Sequence, residues 1–155
     1  MKKLMTLLSV VMMAILFLVG CGQGTKQETP APKQQAAVTA TVQVQESGTY
    51  TDRDHVAAYV HQFKKLPSNY ITKKDAEKLG WKDQGTLDKI APGKSIGGDR
   101  FGNFEKLVPD KEGRSWKEAD IDYVKGNRNG KRIIYSNDGL IFYTEDHYKS
   151  FKQLY

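Results

Sequence analysis

The chain predicts an α+β fold, with N-terminal helices packed on one face of a C-terminal antiparallel β-sheet. Three observations carry that expectation. Apolar residues recur at helical spacing early in the region 51–155, as Val56, Tyr59, Val60 and Phe63. Residues 116–123 alternate apolar and acidic side chains, which is the period of a strand. Arg132-Ile133-Ile134-Tyr135 and Leu140-Ile141-Phe142-Tyr143 flank Asn137-Asp138-Gly139, residues that tolerate the positive φ of a tight hairpin turn. Helices that precede strands, rather than alternate with them, gather on one side of a sheet.

Residues 1–21 read as an export signal. Met1-Lys2-Lys3 is a basic start, and residues 4–19 are almost wholly apolar, a stretch too short and too early for a permanent membrane span. Leu18-Val19-Gly20-Cys21 resembles the lipobox of bacterial lipoproteins, in which the cysteine is lipidated and becomes the mature N-terminus. The alternative is an ordinary signal with an incidental cysteine. Cys21 is the only cysteine, so no intramolecular disulfide can form and the domain must rely on its hydrophobic core. Residues 22–50 carry Gly, Gln, Thr, Ala and Pro with few large apolar groups; they cannot offset their ordering entropy and read as a flexible tether. Residues 51–155 remain as one domain.

Within that domain, Asp52 or Asp54 caps the first helix, and Leu66-Pro67 ends it. Thr72 caps a second helix, with Asp75 and Glu77 near its start and Gly80 after Leu79. A short third helix spans 86–91, closed by Pro92-Gly93. Gly97-Gly98 is too little for a phosphate loop and eases the first strand. In residues 116–123, Ala119, Ile121 and Tyr123 face the helices, while Glu118, Asp120 and Asp122 face an open side. Residues 151–155 add a short final strand. Trp81 and Trp116 adjoin packing segments and belong to the core.

The formal charge is +6; without Lys2 and Lys3, 22 basic residues face 18 acidic ones, leaving +4. Such a balance suits a polyanionic substrate but equally a merely soluble surface. The residue types in the last forty positions are more informative. Glu118, Arg128, Arg132 and His147 supply a carboxylate, two guanidiniums and an imidazole. These are the base, clamp and acid that phosphodiester cleavage without a metal requires. For the arginines, the alternative is surface ion pairing, as of Arg128 with Asp120. His55 and His61 fall in the first helix and read as solvent-facing or packing residues. Three scattered histidines and one cysteine give no metal-ligand spacing, so neither metal nor other cofactor is expected.

Several stretches together carry a resemblance: LPSNYITKKDAEKLGW, APGKSIGGD, GRSWKEADIDY, RNGKRIIYSNDGLI and TEDHY. In order and separation they resemble the barnase/binase family of bacterial guanyl-preferring extracellular ribonucleases, from about Val56 to the C-terminus. The signal and tether lie outside the resemblance. It implies a barnase-like microbial ribonuclease fold and a secreted or membrane-tethered endoribonuclease acting on single-stranded RNA 3′ to guanosine. In that family a glutamate, matched by Glu118, takes the ribose 2′-hydroxyl proton. A histidine, matched by His147, protonates the departing 5′-oxygen, and a 2′,3′-cyclic phosphate results. Arg128 and Arg132 match the phosphate-facing arginines, Lys73 the active-site lysine, and Tyr148 a substrate-contacting tyrosine.

The family's base-recognition loop reads approximately Phe-Ser-Asn-Arg-Glu; here it is Phe101-Gly102-Asn103-Phe104-Glu105. Glu105 keeps the acceptor for the guanine N1 and N2 edge. Phe104 replaces the arginine and offers a stacking surface worth about 1–3 kcal/mol per base. Guanine preference is therefore expected in weakened form. A one-residue deletion near Gln84-Gly85 reads as a trimmed loop. The implied partners are RNA and an acidic barstar-like inhibitor protein; the chain is expected to be a monomer that meets the membrane only through a lipid at Cys21. Two other functions compete: a non-catalytic RNA-binding module that kept the fold, and a structural cell-envelope lipoprotein.

Overall fold

The computed structural model describes residues 42–155 apart from Gln84. The expected signal, Cys21, most of the expected tether and the Gln84 side of the trimmed loop lie outside the described residues. Helix α1, Arg53–Phe63, starts at Asp52, whose side chain accepts from the His55 amide at 3.1 Å. It stops at Phe63, four residues before Pro67, because Lys64 turns left-handed at φ 57° and returns its amide to the Val60 carbonyl. Strand β1, Tyr70–Ile71, leads into α2, Lys73–Lys78, whose cap Thr72 accepts from the Asp75 amide at 3.2 Å. The expected third helix narrows to a single 3-10 turn, Leu87–Lys89. Then come β2 (Ser95–Phe101), β3 (Trp116–Asp120), β4 (Arg132–Ser136), β5 (Ile141–Thr144) and β6 (Lys152–Gln153).

The six strands form one sheet in chain order, antiparallel throughout except for the parallel pair β1–β2. The short β1 is an addition to the expected antiparallel sheet. Helix α1 lies against β4 and β5, and α2 against β2. Val56, Ala57 and Val60 pack there on Ala119, Ile133, Ile141 and Tyr143, while Trp81, Leu87, Ile96 and Tyr123 form an adjoining cluster. The opposite sheet face carries Val108, Trp116, Ile134 and Phe142. Trp81 and Trp116 are both buried, as expected of core aromatics. Register shifts between Gly97 and Asp99. A Cβ on Gly97 would lie 2.7 Å from the Tyr70 ring and 2.8 Å from Ala119, so only glycine lets β1 and β3 close on β2 here.

The folded unit begins before Thr51. Tyr59 donates its hydroxyl to the Glu46 carbonyl at 2.7 Å, Lys65 pairs with the Glu46 carboxylate at 2.6 Å, and Asn69 bonds the backbone of Tyr50 in both directions. Residues 46–50 are thus fastened to the domain, inside the stretch that composition alone assigns to a tether.

Candidate active site

Strand β3 supplies the carboxylate. Alternation along it sends Lys117 and Ala119 toward the α1 side and Glu118 and Asp120 toward the other. Glu118 accepts the Tyr148 hydroxyl at 2.7 Å through one oxygen, and Lys73 Nζ stands 3.6 Å from the other. The lysine is placed by α2, whose first amide, that of Lys73, donates to the Asp99 carboxylate at 2.9 Å. The side chain of Glu118 is only 12 % exposed, so its charge is felt strongly by these neighbours.

Tyr148 connects the carboxylate to the imidazole. Its ring lies 4.9 Å from that of the exposed His147, and on another side stacks on Phe101 at 5.5 Å. Burial foremost, and then the hydrogen bond to Glu118, raise the Tyr148 phenol far above the ordinary tyrosine range, so it is a neutral donor to the carboxylate. The Arg132 guanidinium acts on the same phenol in the opposite sense, which puts it beside this hydroxyl. His147 and Tyr148 both have left-handed backbones, at φ 57° and 72°. The turn is pinned where the His147 amide donates to the Gly130 carbonyl at 3.1 Å, and a Cβ on Gly130 would press to 3.3 Å against His147. Glu118, Lys73, Tyr148 and His147 are thus linked by consecutive contacts into one cluster, although they come from separate segments.

The arginines depart from the expectation. Asp120 is not on an open face: it is 2 % exposed, covered by the loop that follows β3. Arg128 grips its carboxylate with Nε at 2.7 Å and Nη2 at 2.8 Å, and Arg132 Nε stands 2.9 Å from the same group, close enough to pair but out of line for a hydrogen bond. The pair that would have been a surface contact is therefore a buried anchor. It does not exclude phosphate binding, because the planar guanidinium of Arg128 offers a second edge, where among the described residues Nη1 meets only Asp83 at 3.7 Å. Hydrogen bonding to Asp120 raises Arg128 above the usual arginine range, and Glu118 adds to the effect from nearby. Arg132 is 3 % exposed and donates Nη1 to the carbonyls of Asn129 and Lys131, both at 2.7 Å. Its charge reaches the Glu118 cluster more readily than its surface does. The sequence reading named the Arg128–Asp120 pair but put it at the surface; the covered carboxylate instead fixes two guanidiniums.

The loop after β2 carries the expected base-contacting residues. Asn103 has φ 46°, and its side chain is spent on the loop itself, donating to the Val108 carbonyl at 2.9 Å and accepting its amide at 3.1 Å. Phe104 is 92 % exposed and lies across Gly102, where even a methyl group would collide with its ring. Glu105 is exposed. Phe101, stacked on Tyr148, ties this loop to the Glu118 cluster. His55 and His61 lie in α1, away from these residues; His55 pairs with its own cap Asp52, and His61 stacks on Tyr155.

Comparison with known proteins bears on the family. A family model described as ribonuclease matches residues 53–155. The chain is 46 % identical over 146 residues to a ribonuclease of Bacillus intermedius, covering 91 % of this chain and 90 % of that protein. It is 44 % identical over the same length to a ribonuclease of Bacillus pumilus. It is 53 % identical over 102 residues to a ribonuclease of Heyndrickxia coagulans, covering 94 % of that protein. Matches of 146 residues run beyond residues 51–155, so the likeness also enters the N-terminal fifty, which the motifs alone had left outside it. With the ordered motifs and the six-stranded sheet already described, these matches place the chain in the barnase/binase family of ribonucleases.

Proposed function

We propose that this ribonuclease cleaves single-stranded RNA by acid–base transphosphorylation, with Glu118 as base and His147 as acid. The observation that carries the reading is Tyr148: it bonds the Glu118 carboxylate at 2.7 Å while its ring abuts His147. Glu118 accepts the proton of the ribose 2′-hydroxyl, and the 2′-oxygen attacks the adjacent phosphorus. His147 gives its proton to the leaving 5′-oxygen, and the product is a 2′,3′-cyclic phosphate that water opens with the roles reversed. Arg128, Arg132 and Lys73 stabilise charge on the phosphoryl oxygens as it builds. The loop 101–105 holds the base, with Glu105 as acceptor for the guanine edge and the exposed ring of Phe104 as a stacking plate. Cleavage 3′ to guanosine is preferred, though less sharply than with an arginine at position 104.

The test is digestion of RNA and of dinucleotides by the purified protein with a chelator present. Glu118→Ala and His147→Gln should abolish cleavage, while His61→Gln should leave it unchanged. An inert wild-type protein that still binds RNA would point to the non-catalytic module instead. Dinucleotides with adenine 5′ to the cut that react as fast as those with guanine would refute the base preference alone.

Export with a lipid anchor at Cys21 belongs to the same proposal, supported by the basic start, apolar stretch and lipobox-like Leu18-Val19-Gly20-Cys21. Among the described residues no helix is long and apolar enough to cross a membrane. Labelled fatty acid should enter the protein in cells and be lost in Cys21→Ser.

A further inference from the structure

The sheet face that carries α1 holds a cavity of about 240 Å³ on the side away from Glu118. Its walls are Val60 and Lys64 from the end of α1, Lys117, Tyr135 and Ile141 from three neighbouring strands, and Gly139 from the β4–β5 turn. Lys117, Tyr135 and Ile141 stand in one row of the ladder, since Lys117 pairs with Tyr135 and Tyr135 with Ile141. Gly139, at φ +102°, adds no side chain to this wall; a Cβ there would stand in ordinary contact, 3.9 Å from Lys64 Nζ. Lys64 reaches it because its left-handed backbone ends the helix and turns the side chain over the hairpin.

The chemistry of these walls selects a ligand. Among the described residues neither Lys64 nor Lys117 has a carboxylate partner, so two unpaired lysines line one cavity. Burial foremost pushes the Tyr135 phenol up to about 12, making it a neutral hydroxyl donor. Two cations and a donor suit a dianion with several oxygens better than a single carboxylate. The floor is apolar, formed by Val60, Ile141 and the Tyr135 ring, and the volume suits one ring rather than a chain.

We propose that this cavity binds a phosphate monoester attached to a planar ring, the chemistry shared by a free mononucleotide and a phosphorylated RNA end. It is a second site, independent of the cluster that holds Glu118 and His147.

The test is titration of the isotope-labelled full chain with phenyl phosphate, followed by amide chemical shifts. Saturable shifts should appear at Val60, Ser115 and Gly139, separate from any at Glu118 and His147. Lys64→Asn, chosen because asparagine tolerates the left-handed region, combined with Lys117→Gln should weaken the first set about tenfold or more, as loss of charge-assisted bonds does. The second set should not change. Inorganic phosphate should bind the cavity more weakly than phenyl phosphate. Shifts confined to the Glu118 cluster, or cavity shifts untouched by the double substitution, would overturn the site; equal binding of inorganic phosphate would overturn the ring. Competition by a deoxyoligonucleotide with a terminal phosphate assigns the source to nucleic-acid ends, and competition by adenosine monophosphate alone assigns it to free nucleotides.

Discussion

Replacing Asp120 by asparagine removes the charge that holds both arginines, and the structure sets the size of the effect. The aspartate is 2 % exposed, receives two charge-assisted hydrogen bonds from Arg128 at 2.7 and 2.8 Å, and stands 2.9 Å from Arg132. Removing one partner of a buried ion pair costs about 3–5 kcal/mol, because the other charge is left uncompensated. Asparagine keeps one acceptor oxygen, and the Tyr70 hydroxyl still has the backbone carbonyl of residue 120 at 2.8 Å, so the loss should fall at the lower end, about 3 kcal/mol. For a domain of this size that lowers Tm by roughly 12–20 °C. Well below the new midpoint, kcat/KM for dinucleotide cleavage should still fall by about tenfold or more, since Arg128 no longer has a fixed edge to offer the phosphate. Added phosphate should restore part of the lost stability, as an anion bound by the freed guanidiniums favours the folded state. Urea denaturation with and without phosphate, alongside steady-state kinetics, measures all three. A loss below about 1 kcal/mol with unchanged kcat/KM would mean that the pair behaves like a solvated surface contact, and the anchoring argument would be wrong.

Tyr148→Phe should keep stability within about 1 kcal/mol, the net worth of one hydrogen bond, yet lower kcat/KM, because Glu118 loses its 2.7 Å donor. Gly130→Ala presses on His147 from 3.3 Å and should slow cleavage more than it lowers Tm, as read by dinucleotide kinetics beside calorimetry. The pH dependence of kcat/KM for the wild type should be bell-shaped, one limb from a carboxylate and one from an imidazole. Hydrogen bonds from Arg114 and Ser136 hold Asp138 down at about 2, so its contribution to stability is complete above the unfolded carboxylate value near about 3.9 and is lost as pH falls through 2. Acid titration of the unfolding midpoint should show this loss, and Asp138→Asn should flatten that part of the curve.

The parts legible in the sequence are those decided by local chemistry. Asp52 and Thr72 cap because their side chains reach amides three residues on, and the β4–β5 hairpin follows from the turn residues between two apolar runs. Alternation in β3 likewise gives the facing of Glu118 and Ala119 correctly. It fails for Asp120, because a two-residue period says which side a residue points to and not whether a later loop folds over that side. The same limit hides the docking of residues 46–50, where composition suggests a free tether but Glu46 and Tyr50 find partners in α1, Lys65 and Asn69. For the helix end, Leu66-Pro67 is a sound stop signal, yet the chain leaves the helix at Lys64 through a left-handed residue that no glycine announces. Strand β1 has two residues, too few for any period to show.

The turn that presents His147 has a geometry that the sequence does not announce. Two adjacent non-glycine residues in the left-handed region cost about 1 kcal/mol or more each, and nothing in Asp146-His147-Tyr148 encodes that choice locally. The conformation is imposed from outside. The Gly130 carbonyl takes the His147 amide, Thr144 Oγ1 takes the Tyr148 amide at 3.0 Å, and Glu118 takes the Tyr148 hydroxyl. Asp146, held at about 2 foremost by hydrogen bonds from Ser150, closes the far side by accepting the amides of Lys149 and Ser150. The proposed acid is therefore positioned partly by the proposed base, through one tyrosine. Loss of either end loosens the other, so Glu118→Ala should raise amide exchange at His147 and Tyr148 even without substrate. Exchange unchanged there would show that the turn holds its shape independently of the carboxylate.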